Sequence, residues 1–169
     1  TIAAALWTCR DAAAFFQSVE YERGDFYVQD PSTLLAPTLL AAAPGECVAD
    51  LCAAPGGKSL IVAEGLAGRG LLVCNDRSRS RMGRVRQNLT HTRSVHLAVG
   101  DAIDAPFRRR AFDAVLLDVP CTNTGVVRRR PDVRWRFSEQ KLQELVHVQQ
   151  RILGAAAALV KPGGRIVYS

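Results

Sequence analysis

The feature that most limits how this chain can fold is an alternation, from residue 47 onward, of short apolar runs with longer helical stretches. Residues 47–52, 70–74, 95–99, 112–117 and 165–168 read as strands. Residues 57–66 and 78–89 carry a helical pattern. Residues 138–159 form a long amphipathic helix whose Ser138-Glu139-Gln140-Lys141 start resembles a capped end, with the capping-box glutamate or glutamine displaced. Pro162-Gly163-Gly164 breaks that helix ahead of the fifth strand. Alternation at this spacing predicts a parallel sheet with helices on both faces. Upstream, residues 11–19 read as a short helix and 21–28 as a turn-rich connector. Asp30-Pro31-Ser32 opens a further helix over residues 34–43, which Pro44-Gly45 ends. The 169 residues suit one domain, and no repeat or low-complexity linker divides them.

In an open α/β sheet, ligands bind outside the C-terminal ends of the strands, so the residues at those ends matter most. The first strand runs into Cys52-Ala53-Ala54-Pro55-Gly56-Gly57-Lys58. Small residues there let the backbone approach a ligand, and the following helix N-terminus offers free N–H groups. The loop is neither a Walker loop nor G-x-G-x-x-G, which counts against a nicotinamide-binding domain. The second strand ends at Asn75-Asp76, and an acid about 20 residues after such a loop commonly binds ribose hydroxyls. The third ends in Gly100-Asp101-Ala102, and the fourth in Asp118-Val119-Pro120-Cys121. Any one of these aspartates alone reads as a cap or turn residue. Three of them in register with the loop point to a nucleoside ligand.

Asp50-Leu51-Cys52-Ala53-Ala54-Pro55-Gly56-Gly57-Lys58, taken with Asp118-Val119-Pro120-Cys121, resembles the Nop/Sun (Fmu) family of RNA 5-methylcytosine methyltransferases, its bacterial 16S ribosomal RNA branch above all. Further matches are Val28-Gln29-Asp30-Pro31-Ser32, Thr124-Gly125-Val126-Val127-Arg128-Arg129-Arg130-Pro131-Asp132 and the stretch from Lys161 to Ser169. The likeness runs from about Phe26 to the end. It implies a class I S-adenosylmethionine-dependent methyltransferase (Rossmann-like) fold whose C-terminal strands are missing. Residues 26–169 would be a truncated cofactor-binding core. Residues 1–25 would be a connector, the end of an RNA-binding domain. S-adenosyl-L-methionine is the implied cofactor. Cys52, Ala53, Ala54, Pro55, Gly56, Gly57 and Lys58 would wrap its methionine and ribose, Asp76 the ribose hydroxyls and Asp101 the adenine amino group. Arg81 matches a family position near that pocket, and Asp118 would lie near both sulfonium and target base.

Cytosine C5 is a poor nucleophile, and covalent catalysis solves the problem. A thiolate adds to C6, C5 takes the methyl group, a base removes the C5 proton and the thiol leaves. A free cysteine, with a pKa of about 8.5, is only a few per cent thiolate at neutral pH, so neighbouring arginines would help. DNA cytosine-5 methyltransferases use the Pro-Cys cysteine as nucleophile, which would make Cys121 the attacking group. The Nop/Sun likeness implies two cysteines instead: a nucleophile in a Thr-Cys pair after the fifth strand, and a Pro-Cys cysteine that assists product release. Here that strand reads Ile166-Val167-Tyr168-Ser169, so the Thr-Cys pair is expected just beyond Ser169 and Cys121 takes the release role. With Thr1 in place of methionine, the sequence reads as a fragment that lacks its nucleophile, is inactive by itself and leaves the fifth strand as an edge.

Net charge is +6, and all but three of the 22 cationic residues (Lys58, Lys141, Lys161) are arginine. Arginine contacts phosphate bidentately and stacks on bases. Arg128, Arg129, Arg130, Arg134 and Arg136, with Trp135 and Phe137 among them, follow the Cys121 loop and suit a splayed single-stranded RNA, expected to be ribosomal. Arg77, Arg79, Arg84 and Arg86 read equally as solvated surface, and Trp135 equally as core or platform. The five cysteines form no C-x-x-C pair and histidines are scattered, so no metal site is expected. The odd cysteine count and the lack of a signal segment or apolar span of about 18 residues suggest a cytoplasmic protein away from membranes, and a monomer is expected without a sequence feature that fixes it. A non-catalytic module that binds S-adenosylmethionine or RNA, and a DNA cytosine-5 methyltransferase using Cys121 directly, are the alternative readings.

Overall fold

The computed structural model describes residues 12–23, 25–128 and 130–169. Among these residues are five strands: β1 (Cys47–Asp50), β2 (Leu71–Asp76), β3 (Val95–Val99), β4 (Phe112–Leu117) and β5 (Val160–Tyr168). All pair in parallel, in the order β3-β2-β1-β4-β5. The helices are α1 (Ala12–Phe16), α2 (Val19–Glu22), α3 (Leu35–Leu40), α4 (Gly57–Leu66), α5 (Arg79–Asn88), α6 (Val133–Arg136) and α7 (Glu139–Leu159).

The period-two pattern of the strands divides the interior into two cores. Val48, Leu72, Cys74, Ala114 and Leu116 face one side, against Leu40, Val62, Leu66 and Val85 of α3, α4 and α5. Ala49, Val115 and Leu117 face the other, against Ile152, Ala156 and Leu159 of α7. Both faces are therefore covered, as the alternation predicts. The β3–β4 connection is the exception, carrying only a 3-10 turn at Ala102–Asp104.

Boundaries differ from the sequence reading in instructive places. β2 runs two residues past Cys74, so Asn75 and Asp76 belong to the ladder opposite Ala98 and Val99. The helix expected over residues 34–43 is a 3-10 turn, Pro31–Leu34, followed by α3, and it stops at Leu40 rather than at Pro44-Gly45. Ala41 is left-handed there (φ 49°) and the Arg165 side chain takes the carbonyls of Leu40 and Ala41, ending the helix early. Pro162-Gly163-Gly164 does not separate helix from strand. Val160 already pairs with Phe112, and the stretch bulges before Arg165 pairs with Ala114. Gly163 supplies the left-handed turn (φ 78°). Among the described residues, the upstream region holds two short helices. Ser18 caps the second by accepting the Tyr21 N–H, which places Tyr21 and Glu22 in a helix, not a connector. The expected helix start at Asp11, and Cys9, lie outside the described residues.

Candidate active site

Strand order reverses between β1 and β4, because β1 leads to β2 on one side and β4 lies on the other. The crevice beyond their C-terminal ends is the topological switch point of the sheet. Both distinctive sequence motifs open there, the glycine loop after β1 and Asp118-Val119-Pro120-Cys121 after β4.

An ion pair spans the crevice. Lys58, in the first turn of α4, places Nζ 2.5 Å from Asp118 Oδ1. Lys58 is well shielded and Asp118 partly exposed, so the carboxylate is both charge-compensated and reachable. The glycine loop that leads into Lys58 is held by its neighbours. Asp76, almost fully buried, accepts the Ala54 N–H through Oδ2 (3.3 Å) and the Ser78 N–H through Oδ1 (2.9 Å). Arg81 donates to the Ala54 carbonyl (2.6 Å) and lies 3.6 Å from Asp76. Asn88 donates to the Pro55 carbonyl. Gly56 takes φ +110°, a conformation few side chains tolerate, and its absent Cβ would stand 3.3 Å from the Val85 backbone. At Gly57 a Cβ would meet Tyr27 at 2.7 Å. The two glycines thus allow close packing on α5 and on the upstream segment.

Two buried polar residues, given no separate role in the sequence reading, sit beneath this loop. Asp50 accepts from Ser59 Oγ (2.6 Å) through Oδ2, while its Oδ1 has no partner among the described residues. Burial, with a smaller push from Asp118, raises its pKa to about 7. Asn75 donates to the carbonyls of Leu51 (3.1 Å) and Gly100 (3.0 Å), tying the ends of β1 and β3 to β2. A polar residue inside the apolar run of residues 47–52 is the sequence signal for Asp50, whereas Asn75 stands at a strand end beside Asp76. Asp101 is exposed and caps the Ala102–Asp104 turn by accepting the Ile103 N–H.

Among the described cysteines only Cys121 is exposed. Burial, reinforced by Asp50, Asp76 and Asp118, pushes the Cys52 thiol to about 12, and burial does the same for Cys74. The Asn123 N–H points at Cys121 Sγ (3.4 Å), with Asn123 left-handed at φ 60°. Gln149 of α7 donates to the Pro120 carbonyl and steadies the loop. A recess of about 60 Å³ brings Cys121 together with Arg136, Phe137 and Lys141. Of the arginines in the downstream run, Arg136 pairs with Asp132 and Arg130 lies 3.8 Å from it. Arg128 and Arg134 are exposed, and Arg129 lies outside the described residues. A larger groove of about 650 Å³ lies between the upstream segment, α4 and α5, and none of the strand-end residues lines it. No group of metal-ligating side chains occurs among the described residues.

A parallel sheet of this order, with acids and a glycine loop at its switch point, is the class I methyltransferase fold. The family model described as 16S rRNA methyltransferase RsmB/F matches residues 37–169, and the chain belongs to that family. A ribosomal RNA small subunit methyltransferase B from Shewanella oneidensis is 40% identical over 145 residues, covering 84% of this chain and 34% of the relative. NSun6 from Pyrococcus horikoshii, solved with SFG, superposes with a TM-score of 0.79 at 26% identity, over 90% of this chain and 40% of that one. A methyltransferase homolog protein from the same organism gives a TM-score of 0.79 at 28% identity, over 94% of this chain and 50% of that one. The chain spans about a third of the length of the curated relatives it matches.

Proposed function

We propose that residues 26–169 form the S-adenosylmethionine-binding core of an enzyme that methylates C5 of cytosine in RNA, ribosomal RNA in particular. The observation that carries this is the Lys58–Asp118 pair, set across the switch point with Cys121 on the same loop. The names of the relatives support ribosomal RNA as substrate, and a family neighbour solved with SFG, an analogue of S-adenosylmethionine, supports the cofactor.

The residues fit that cofactor. Asp76 keeps free lone pairs on both oxygens after its two backbone contacts, enough for two ribose hydroxyls. The unpartnered Asp50 Oδ1 lies beneath the loop, where a cationic methionine group is expected. The segment from Cys52 to Lys58 with Asp76 would hold methionine and ribose, Asp101 the adenine edge, and Arg81 the shape of the loop. The cofactor, when bound, supplies an electrophilic methyl group. Asp118 would accept from the cytosine amino group, and the Lys58 ammonium would steady the charge of the pair as electron density shifts toward C5.

Cys121 takes the release role. Ser169 donates its N–H to the Leu117 carbonyl and accepts the Val119 N–H, so the β4–β5 ladder continues into this loop. In a longer chain, a Thr-Cys pair after Ser169 would enter beside Pro120-Cys121, which supports the two-cysteine reading. Arg128, Arg129, Arg130, Arg134 and Arg136 would receive the RNA backbone.

Calorimetry with S-adenosylmethionine tests the pocket: binding by the parent chain and loss of about tenfold or more in D76A are expected, since hydrogen bonds to a charged carboxylate contribute about 1.5–3 kcal/mol. In the full-length enzyme, C121S should accumulate a covalent RNA adduct. Loss of all adduct would overturn the release assignment and make Cys121 the nucleophile.

A further inference from the structure

Trp135 is 90% exposed, beyond any other large apolar side chain among the described residues. Its place follows from α6. Val133 is buried and anchors that short helix, and two residues further on the helix has turned through about 200°, which points Trp135 away from the core. Its ring touches no other aromatic ring among the described residues. Arg134 beside it is exposed, while Arg136 is turned to Asp132. Val133, Arg136 and Phe137 line the same recess as Cys121, so the indole stands one residue from the wall of the cysteine loop.

An indole left in water forgoes a large burial gain, which a partner with a flat face recovers without deforming α6. The surroundings identify that partner. A protein-binding patch would place further apolar side chains around the ring. Here the flanking residues are Arg134 and Arg136, Phe137 is the one exposed large apolar side chain nearby in sequence, and the chain has a net charge of +6. Arginine with an exposed aromatic ring suits a single-stranded polynucleotide, with bases on the ring and phosphates on the guanidinium groups. We infer that Trp135 is a stacking platform for a base neighbouring the target cytosine, with Arg128 and Arg134 holding the phosphates on either side. The inference rests on RNA being the substrate. It adds a positioning residue outside the cofactor pocket: with a neighbouring base pinned on α6, the target base is drawn toward Asp118 and Cys121.

The second tryptophan, Trp7, is replaced by phenylalanine so that Trp135 alone reports. Two oligoribonucleotides of equal length are compared, one single-stranded and containing cytosine, the other abasic. The first should quench Trp135 emission and bind W135A about tenfold more weakly, with W135F recovering most of the loss. The abasic strand should bind parent and W135A alike. Equal binding of the cytosine strand by parent and W135A, or equal quenching by the abasic strand, would overturn the platform and leave arginine electrostatics alone. Thermal melting checks that W135A, altered only at an exposed ring, stays folded. Calorimetry with S-adenosylmethionine separates this inference from the activity beneath it. Cofactor binding without quenching defeats the platform, whereas quenching without cofactor binding sustains the platform and defeats the methyl-transfer reading.

Discussion

A carboxyl group cut off from water, like that of Asp50, keeps its proton to a higher pH than an exposed one. Its pKa of about 7 compares with an ordinary value of 3.8. The native state therefore binds more protons than the unfolded chain between about pH 4 and pH 7. Stability should fall as pH rises through that window and level off above it. Asp50→Asn removes the titration while keeping an oxygen for Ser59 to donate to. Denaturant unfolding at pH 5 and pH 8 should show the parent losing about 2–3 kcal/mol more than D50N between the two. The slope, rather than the offset at one pH, is the readout, because the new amide N–H₂ carries a burial cost of its own. Equal losses in both proteins would mean that another group titrates. At this scale the sequence was a partial guide. Asp76 and Asp118 are legible because strand ends are legible. Asp50 stands inside an apolar run and Asn75 at a strand end beside Asp76, and only the fold shows that both are buried with partners.

Elements in this protein are joined by side chains that come from far along the chain. Arg165 of β5 grips Glu46 ahead of β1 with two bonds (2.8 and 2.7 Å) and covers the carbonyl end of α3. The guanidinium holds Glu46 below its ordinary pKa. Arg165→Ala should lower stability by about 1–2 kcal/mol, a modest figure because the pair is partly solvated. Arg165→Lys should recover little, since an ammonium cannot serve four acceptors in a fixed fork. Thermal melts of both variants check this, and full recovery by lysine would show that charge alone matters. Residues 119–125 apart in sequence meet here, and no local pattern announces it. The strands β3 and β4 and the helix α4 were legible to the residue, because alternation and helix period are local signals. The early end of α3 and the bulge in β5 were not, because each depends on a distant partner. The Lys58–Asp118 pair belongs with them: both residues carry motifs, but only the reversal of strand order at β1 and β4 brings them together.

Over the whole molecule, charge is placed rather than merely abundant. Asp132 sits within the downstream arginine run, holding Arg136 and drawing Arg130, while Arg128 and Arg134 make no ion pair among the described residues. If this face receives a single-stranded RNA, salt dependence should count the free arginines. Each phosphate contact on a single strand contributes about −0.7 to the slope of log K against log salt. Arg134→Ala should therefore make the slope shallower by about 0.7, and Arg128→Ala likewise. Asp132→Asn should act in the opposite direction, releasing Arg136 and Arg130 and steepening the slope by as much as about 1.4. Arg84→Ala, an exposed position on α5, should leave it unchanged if the strand follows the Cys121 side of the molecule. Fluorescence anisotropy of a labelled oligoribonucleotide across a salt series measures all four. Equal shallowing by R84A and R134A would show a diffuse cationic surface with no path. A D132N slope no steeper than the parent's would show that the arginines paired with Asp132 never reach the RNA, leaving the contact to Arg128, Arg134 and the other cations outside that pair.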